Sequence, residues 1–278
     1  MCLCLVAVVH TLPEGRAVVG VTSLGEEIYL LRDKDTHQVK VYDFMRYHLQ
    51  RCLTVSNARR APDTFSDMTS CEHLLCLYIS NLNDNCIHRL DLQGNAWQWL
   101  VNDSPTGLSV NADHNLIVTC DVGKIKEFSP HGELVRDVIL PGDVIYPQHA
   151  IQLTSGQFIV CHGYGHDPVH RVCKISADGR HIVHSHGGQP GSDTSQYNGP
   201  RHLAVDGNEF VFVGDLINRR VTLLSPTLEY VRQVVSRDQL EWEPRRLCSD
   251  VHRGRVYVAE SNEFQVVGRA VVFTVYSV

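Results

Sequence analysis

The chain has 278 residues, is 43% hydrophobic and 20% charged, and carries a formal net charge of −6 with a pI near 6.2. This is ordinary globular composition, and the acidic balance disfavours a general nucleic-acid surface, which needs clustered Lys and Arg. Ten cysteines without one Cys-x-x-Cys pair give no zinc-ligand spacing and argue against a disulfide scaffold at this length. Most sit in apolar runs such as Leu74-Leu75-Cys76-Leu77-Tyr78, where a free thiol behaves as a small hydrophobe; a reduced, cytoplasmic setting is the simpler reading. No run is long enough for a membrane-spanning helix, so no membrane partner is expected.

The chain opens on an apolar strand over 3–9. No Lys or Arg precedes it and no small-x-small site follows, which disfavours a signal peptide. Unit one then shows strands at 28–31, 39–42 and 49–55. Unit two has them at 77–79, 87–90 and 96–101. Unit three opens at Pro105 and continues at 116–118, 125–128 and 133–140. Unit four opens at Pro147, with strands at 158–160, 172–175 and 181–186. Unit five opens at Pro200, with strands at 210–213, 221–224 and 229–235. Unit six opens at Pro244 and has only 256–258 and 271–273 after it. Aromatic and β-branched runs bounded by Gly, Asn and Asp read as strands, and Pro suits a strand's first residue because no ladder donor is lost there.

Alignment on the residue closing each second strand gives Asp33, Asn81, Cys120, His162, Asp215 and Glu260, between 39 and 53 residues apart. Turns of one form recur at Asp91-Leu92-Gln93-Gly94, Ser129-Pro130-His131-Gly132 and Ser176-Ala177-Asp178-Gly179. Six units of about 45 residues with four short strands have the period of a propeller blade. The predicted fold is all-β: a six-bladed β-propeller of four-stranded blades, at 13–60, 61–103, 104–145, 146–198, 199–241 and 242–278. The last unit lacks a strand, and 3–9 is expected to supply it and close the ring.

Unit five carries the clearest copy of the repeat: Pro200, Leu203, Ala204, Val205, Asp206, Gly207, then Asp215, Asn218, Arg220 and Val221. This resembles the NHL repeat. The other units match it in part, unit one at Gly25, Asp33 and Val39 and unit four at Arg171 and Val172. The resemblance implies a recognition domain like the C-terminal propeller of TRIM-type proteins, which binds proteins or, in some members, RNA. The sequence shows no RING or B-box ligand pattern, so ligase activity is not carried over.

Three sets of residues are candidates for function. His162, His166 and His170 are spaced by four, beside Asp167, and are the metal candidate of the sequence, although Gly163, Gly165 and Pro168 oppose a helix that would align them. His149 and His202 both stand two residues after a strand-opening Pro, a place taken by Gly107 and Arg246 in units three and six. Such positions line a propeller's central channel, so His149, His202 and Arg246, with His162, are the candidate binding face. The run 187–199 is a long inter-blade loop, and long loops are often mobile or functional. The adjacent pairs Arg59-Arg60, Arg219-Arg220 and Arg245-Arg246 read as solvated or turn-packing, His184 and His186 as solvent-side, and Asp215, Asn218 and Arg220 as fold-serving. No catalytic group and no cofactor motif is read. The expectation is a monomeric, non-enzymatic scaffold with a protein or peptide partner, such as the substrate-recognition part of a TRIM-like ubiquitin ligase system. The alternatives are a metal-dependent lyase or hydrolase at the channel mouth and, disfavoured by charge, an RNA-binding domain.

Overall fold

A computed structural model describes residues 3–32, 38–55, 65–262 and 267–277, with side chains of most of them. Asp33 and the pair Arg59-Arg60 lie outside the described residues. β1 is Leu3–Pro13. Blade one is β2 (Val18–Leu24), β3 (Glu27–Arg32), β4 (Gln38–Asp43) and β5 (Leu49–Thr54). Blade two is β6 (Phe65–Cys71), β7 (Cys76–Asn81), β8 (Cys86–Asp91) and β9 (Ala96–Leu100). Blade three is β10 (Pro105–Val110), β11 (Leu116–Cys120), β12 (Lys124–Phe128) and β13 (Leu134–Ile139). Blade four is β14 (Pro147–Gln152), β15 (Phe158–His162), β16 (His170–Ile175) and β17 (Ile182–Gly188). Blade five is β18 (Pro200–Val205), β19 (Val211–Asp215), β20 (Arg220–Leu224) and β21 (Tyr230–Val235). Blade six takes β22 (Glu243–Asp250), β23 (Arg255–Asn262) and β24 (Val267–Ser277), and its outer strand is β1.

The ring therefore closes as expected, through antiparallel pairing of β1 with β24 from Leu3↔Ser277 to Pro13↔Arg269. The first strand of the chain runs four residues beyond the segment 3–9. Its Leu12 is 1% exposed and packs with Val18, Val21, Tyr257 and Val272 in the interface between blades six and one. Five further apolar clusters lie between the other adjacent blades, one per interface. The core is thus six sheet-on-sheet contacts arranged in a circle. Two-sided burial explains why the second strands, such as β7, β11, β15 and β19, are buried at every position. Among the described residues no helix is long and apolar enough to cross a membrane.

One irregularity repeats around the ring. Each innermost strand breaks register near its start: Val18/Gly20, Phe65/Asp67, Pro105/Gly107, Pro147/His149, Pro200/His202 and Pro244/Arg246. A bulge inserts one unpaired residue and re-aims the next side chain. Six bulges at one level turn Gly20, Asp67, Gly107, His149, His202 and Arg246 into a layer around the axis.

Candidate functional site

Four members of that layer meet. Asp67 receives the backbone N–H of Met68 on one carboxylate oxygen (2.9 Å) and that of Leu108 on the other (2.8 Å). Arg246 ion-pairs with the first oxygen, Nε to Oδ1 at 2.9 Å, and its guanidinium also donates to the carbonyls of Ser66 and Arg245. His202 Nε2 lies 3.3 Å from Asp67 Oδ2, and His149 stacks on His202 with ring centroids 3.7 Å apart. The cluster bridges blades two, four, five and six. All four side chains are buried, His149 being 2% exposed.

Hydrogen bonding fixes the imidazole tautomers. The N–H of Leu247 donates to His202 Nδ1, so the His202 proton sits on Nε2 and is given to Asp67. His149 Nε2 is 3.0 Å from the Leu108 carbonyl and must donate to it, which leaves His149 Nδ1 as a buried acceptor with no hydrogen-bond partner among the described residues. Burial, and then neighbouring His202, pull the His149 pKa down to about 3, and burial also lowers His202. Burial alone would raise the Asp67 carboxyl, but the Arg246 charge and then His202 outweigh it and hold the carboxyl below the usual carboxylate range.

The glycines of the layer are space-makers. A Cβ on Gly107 would come 2.6 Å from the Gln148 carbonyl and 2.8 Å from the His149 ring, and one on Gly20 would come 2.7 Å from Met68 Cβ. A side chain at position 107 would displace His149 from its stack on His202.

The cluster plugs the channel near the face where innermost strands begin, here termed the head face. Below it a cavity of about 420 Å³ follows the rest of those strands toward the opposite, tail face, with His149 and His202 in its lining. Its walls alternate apolar groups such as Met68, Leu108 and Leu247 with the hydroxyls of Thr22, Ser70, Ser109 and Ser249. Glu72 and Asp250 line it farther along, and no Lys or Arg is among the lining residues.

The head face carries a different surface. Val122, Ile145, Tyr146, Tyr164 and Ile217 are exposed there, Tyr146 by 58%. They come from the loops before β12, β14, β16 and β20, which all open on this face of blades three to five. Gly123 approaches Val144. Tyr146 gives its carbonyl to Gln148, which also takes a hydrogen bond from Arg201. The Arg201 guanidinium lies 5.7 Å from the Tyr164 ring centroid. A Cβ on Gly199 would touch both Tyr164 and Ile217, at 3.4 and 3.7 Å; with φ +77° and those two side chains over it, the position suits glycine. Tyr146 holds φ 47°, an uncommon conformation for a bulky residue, and it presents the ring to solvent.

Several sequence expectations land elsewhere. His149, His202 and Arg246 do come together, but as a buried plug and not as an exposed face. His162 is outside it: buried on β15, it accepts the Nε–H of Arg171 at 2.9 Å, and burial and then that Arg lower its pKa to about 4. His162, His166 and His170 do not converge. His170 Nδ1 accepts from the Gly199 N–H at 3.0 Å, while His166 is exposed. Among the described residues the group with converging ligand atoms is Asp67, His149 and His202, all within 4.8 Å.

That group is a poor fit for a cation. Arg246 already occupies Asp67, both carboxylate oxygens take backbone donors, and both His202 nitrogens are engaged. Of the described Arg pairs, Arg219 and Arg220 pack against loop carbonyls, as a turn-packing pair would, and Arg245 and Arg246 are buried. The long loop 187–199 is pinned, since Arg220 donates to the carbonyls of Ser192, Asp193 and Gln196 and to Asp215. His184 is exposed, but His186 is half-buried, bonded to the Thr194 carbonyl and set against Tyr197 and Tyr230.

Asp67 was the residue that sequence reasoning missed. Its signal was positional: it stands two residues after Phe65, as His149 and His202 stand after their prolines. Unit two lacks the Pro that marked the register elsewhere.

No protein-family model matches the chain, and no curated protein matches its sequence. Solved structures do match its shape. A streptogramin B lyase superposes with a TM-score of 0.66 at 10% identity, over 95% of this chain and 97% of that one. Hydrazine synthase of Kuenenia stuttgartiensis gives 0.63 at 15% identity, over 96% of each. The β-propeller domain of Cps50 (Swd1) from Myceliophteria thermophila gives 0.59 at 10% identity, over 92% of this chain and 83% of that one. At these identities the likeness is one of fold. It joins enzymes and a propeller domain alike.

Proposed function

We propose that this propeller is a non-enzymatic binding module that recognises a protein or peptide on its head face. The observation that carries the reading is the group Val122, Ile145, Tyr146, Tyr164 and Ile217. Exposed apolar side chains gathered on loops at one face of a rigid frame are characteristic of interaction sites. Tyr and Arg, the residue types enriched at interface hot spots, stand together in it as Tyr146, Tyr164 and Arg201. The partner is a segment presenting aliphatic or aromatic side chains.

The channel supports the non-enzymatic half of the reading. A general acid or base works best with a pKa near the operating pH. His149 and His202 are pushed toward the neutral form, and Asp67 is held ionised by Arg246. The NHL-like reading of the repeat rests on unit five, where Asn218 and Arg220 both donate to Asp215 and pin the turn.

Panning a random peptide display library against the protein tests the proposal. Peptides rich in apolar side chains should be enriched, and their binding should be lost in the double variant Tyr146→Ser/Ile217→Ser with an unchanged thermal midpoint. Peptides that bind the double variant as well as the parent would remove the head face as the binding site.

A further inference from the structure

Cys71 ends β6 and Cys76 opens β7. They are register partners, the last pair before the turn Glu72-His73-Leu74-Leu75. Directly opposed residues of an antiparallel pair have Cα atoms about 4.5–5.5 Å apart. A disulfide needs about 4.4–6.8 Å. Opposed residues also project to the same side of the sheet, and both thiols belong to the apolar cluster between blades two and three. No other two cysteines among the described residues are register partners of each other.

We propose that Cys71 and Cys76 form a reversible disulfide that staples the β6–β7 hairpin beside the channel cavity, formed by exchange with a low-molecular-weight disulfide such as oxidised glutathione. Two features make Cys71 the attacking sulfur. Hydrogen bonding to Cys76 draws its thiol below the ordinary range against the effect of burial, with the Leu74 N–H adding to the pull. The same interaction and burial push Cys76 up, so Cys76 keeps its proton. The thiolate is the nucleophile in exchange.

The exchange balances. The Cys71 thiolate attacks one sulfur of the small disulfide, a Cys71–S–S–R bond forms, and one RS⁻ leaves. Cys76 then attacks the Cys71 sulfur, its proton passes to solvent or to the departing thiolate, and the second R–S leaves. Two protein thiols are oxidised and one small disulfide is reduced to two thiols.

Access is through the hairpin turn. Glu72, His73 and Leu75 are exposed, and Leu75 is held at φ 48°, a left-handed conformation that costs a non-glycine residue energy and is released when the turn opens. Ser70 and Glu72, the chain neighbours of Cys71, line the cavity. A staple between residues 71 and 76 therefore fixes the wall that those two side chains build.

The test uses the folded, full chain exposed to oxidised glutathione, then quenched with an alkylating agent and peptide-mapped without reduction. The expected result is a Cys71–Cys76 cross-link that dithiothreitol reverses, while Cys161 and Cys173 stay free thiols. In Cys76→Ser the reaction should stop at a Cys71–glutathione mixed disulfide. Recovery of Cys71 and Cys76 as free thiols from the folded parent chain, or a cross-link that forms only in denaturant, overturns the proposal. The parent-chain mapping decides the matter even if a variant fails to fold.

Discussion

Two buried aspartate–arginine pairs divide this molecule between them. At the rim of blade five, Asp215 Oδ2 receives Arg220 Nε at 2.7 Å. At the axis, Asp67 Oδ1 faces Arg246 Nε at 2.9 Å. The rim pair is local: its partners lie in one hairpin, and the spare guanidinium donors close the adjoining loop. The axial pair joins blade two to blade six, and both histidines lean on the same carboxylate. Their electrostatics diverge accordingly. Burial raises the Asp215 carboxyl despite Asn218, the Asn198 N–H and Arg220. Burial of Asp67 is outweighed by Arg246 and His202, and its carboxyl is held down. The same two residue types thus serve as a turn pin in one place and as a knot across the ring in the other.

The largest expected effect comes from breaking the knot. Arg246→Ala leaves Asp67 buried without its cation, and losing one partner of a buried pair costs about 3–5 kcal/mol. Chemical denaturation of the variant should show that loss, and a cost under about 1 kcal/mol would demote the axial pair to a bystander. Gly107→Ala comes next. Its methyl would meet the Gln148 carbonyl and the His149 ring, and overpacking of this kind costs about 1–3 kcal/mol. Loss of the upfield ring-current shifts of the His149–His202 stack in an NMR spectrum is the accompanying readout.

Arg220→Ala should cost less globally, about 1–3 kcal/mol for the buried acceptors it strands, because the loop can open to water. Its distinguishing mark is local: limited proteolysis should cut within 189–198 in the variant and not in the parent. Equal resistance would mean that the rim pair does not hold the loop.

The effect that is smallest at neutral pH, where it vanishes, concerns acid stability. The His149 pKa is lowered in the fold to about 3, from the ordinary 6.5. Such a depressed group contributes stability that is present above the unfolded value and is lost as pH falls from about 6.5 toward 3, because the unfolded chain binds the proton first. His149→Gln should flatten the stability–pH curve in that window by up to one proton. An unchanged slope would show that His149 is not held neutral by its burial.

Unit five was legible because its signals are local. Pro200 opens a strand, Asp215, Asn218 and Arg220 lie within six residues, and a turn motif needs no distant partner. Asp67 was not legible, since it sits in a strand without a Pro marker and its partners are far along the chain. His162 misled for the converse reason: its neighbours His166 and His170 are close in sequence, but strand geometry sends His162 to Arg171 and His170 to Gly199. The apolar group on the head face also went unread, because Tyr146, Tyr164 and Ile217 come from three separate loops.

By itself the amino-acid sequence determined the period, the six four-stranded units and the closing of the last blade by the first strand, since alternation, turn residues and an unpaired edge are properties of short segments. Only the tertiary structure decided that the axis-facing residues make a buried knot around Asp67 and not an exposed face. A bulge in every innermost strand rotates one residue per blade into a common layer, and closing the ring sets Asp67, His149, His202 and Arg246 against one another. The repeat places three of them at the channel, but their contact with Asp67 and their burial depend on all six blade angles at once.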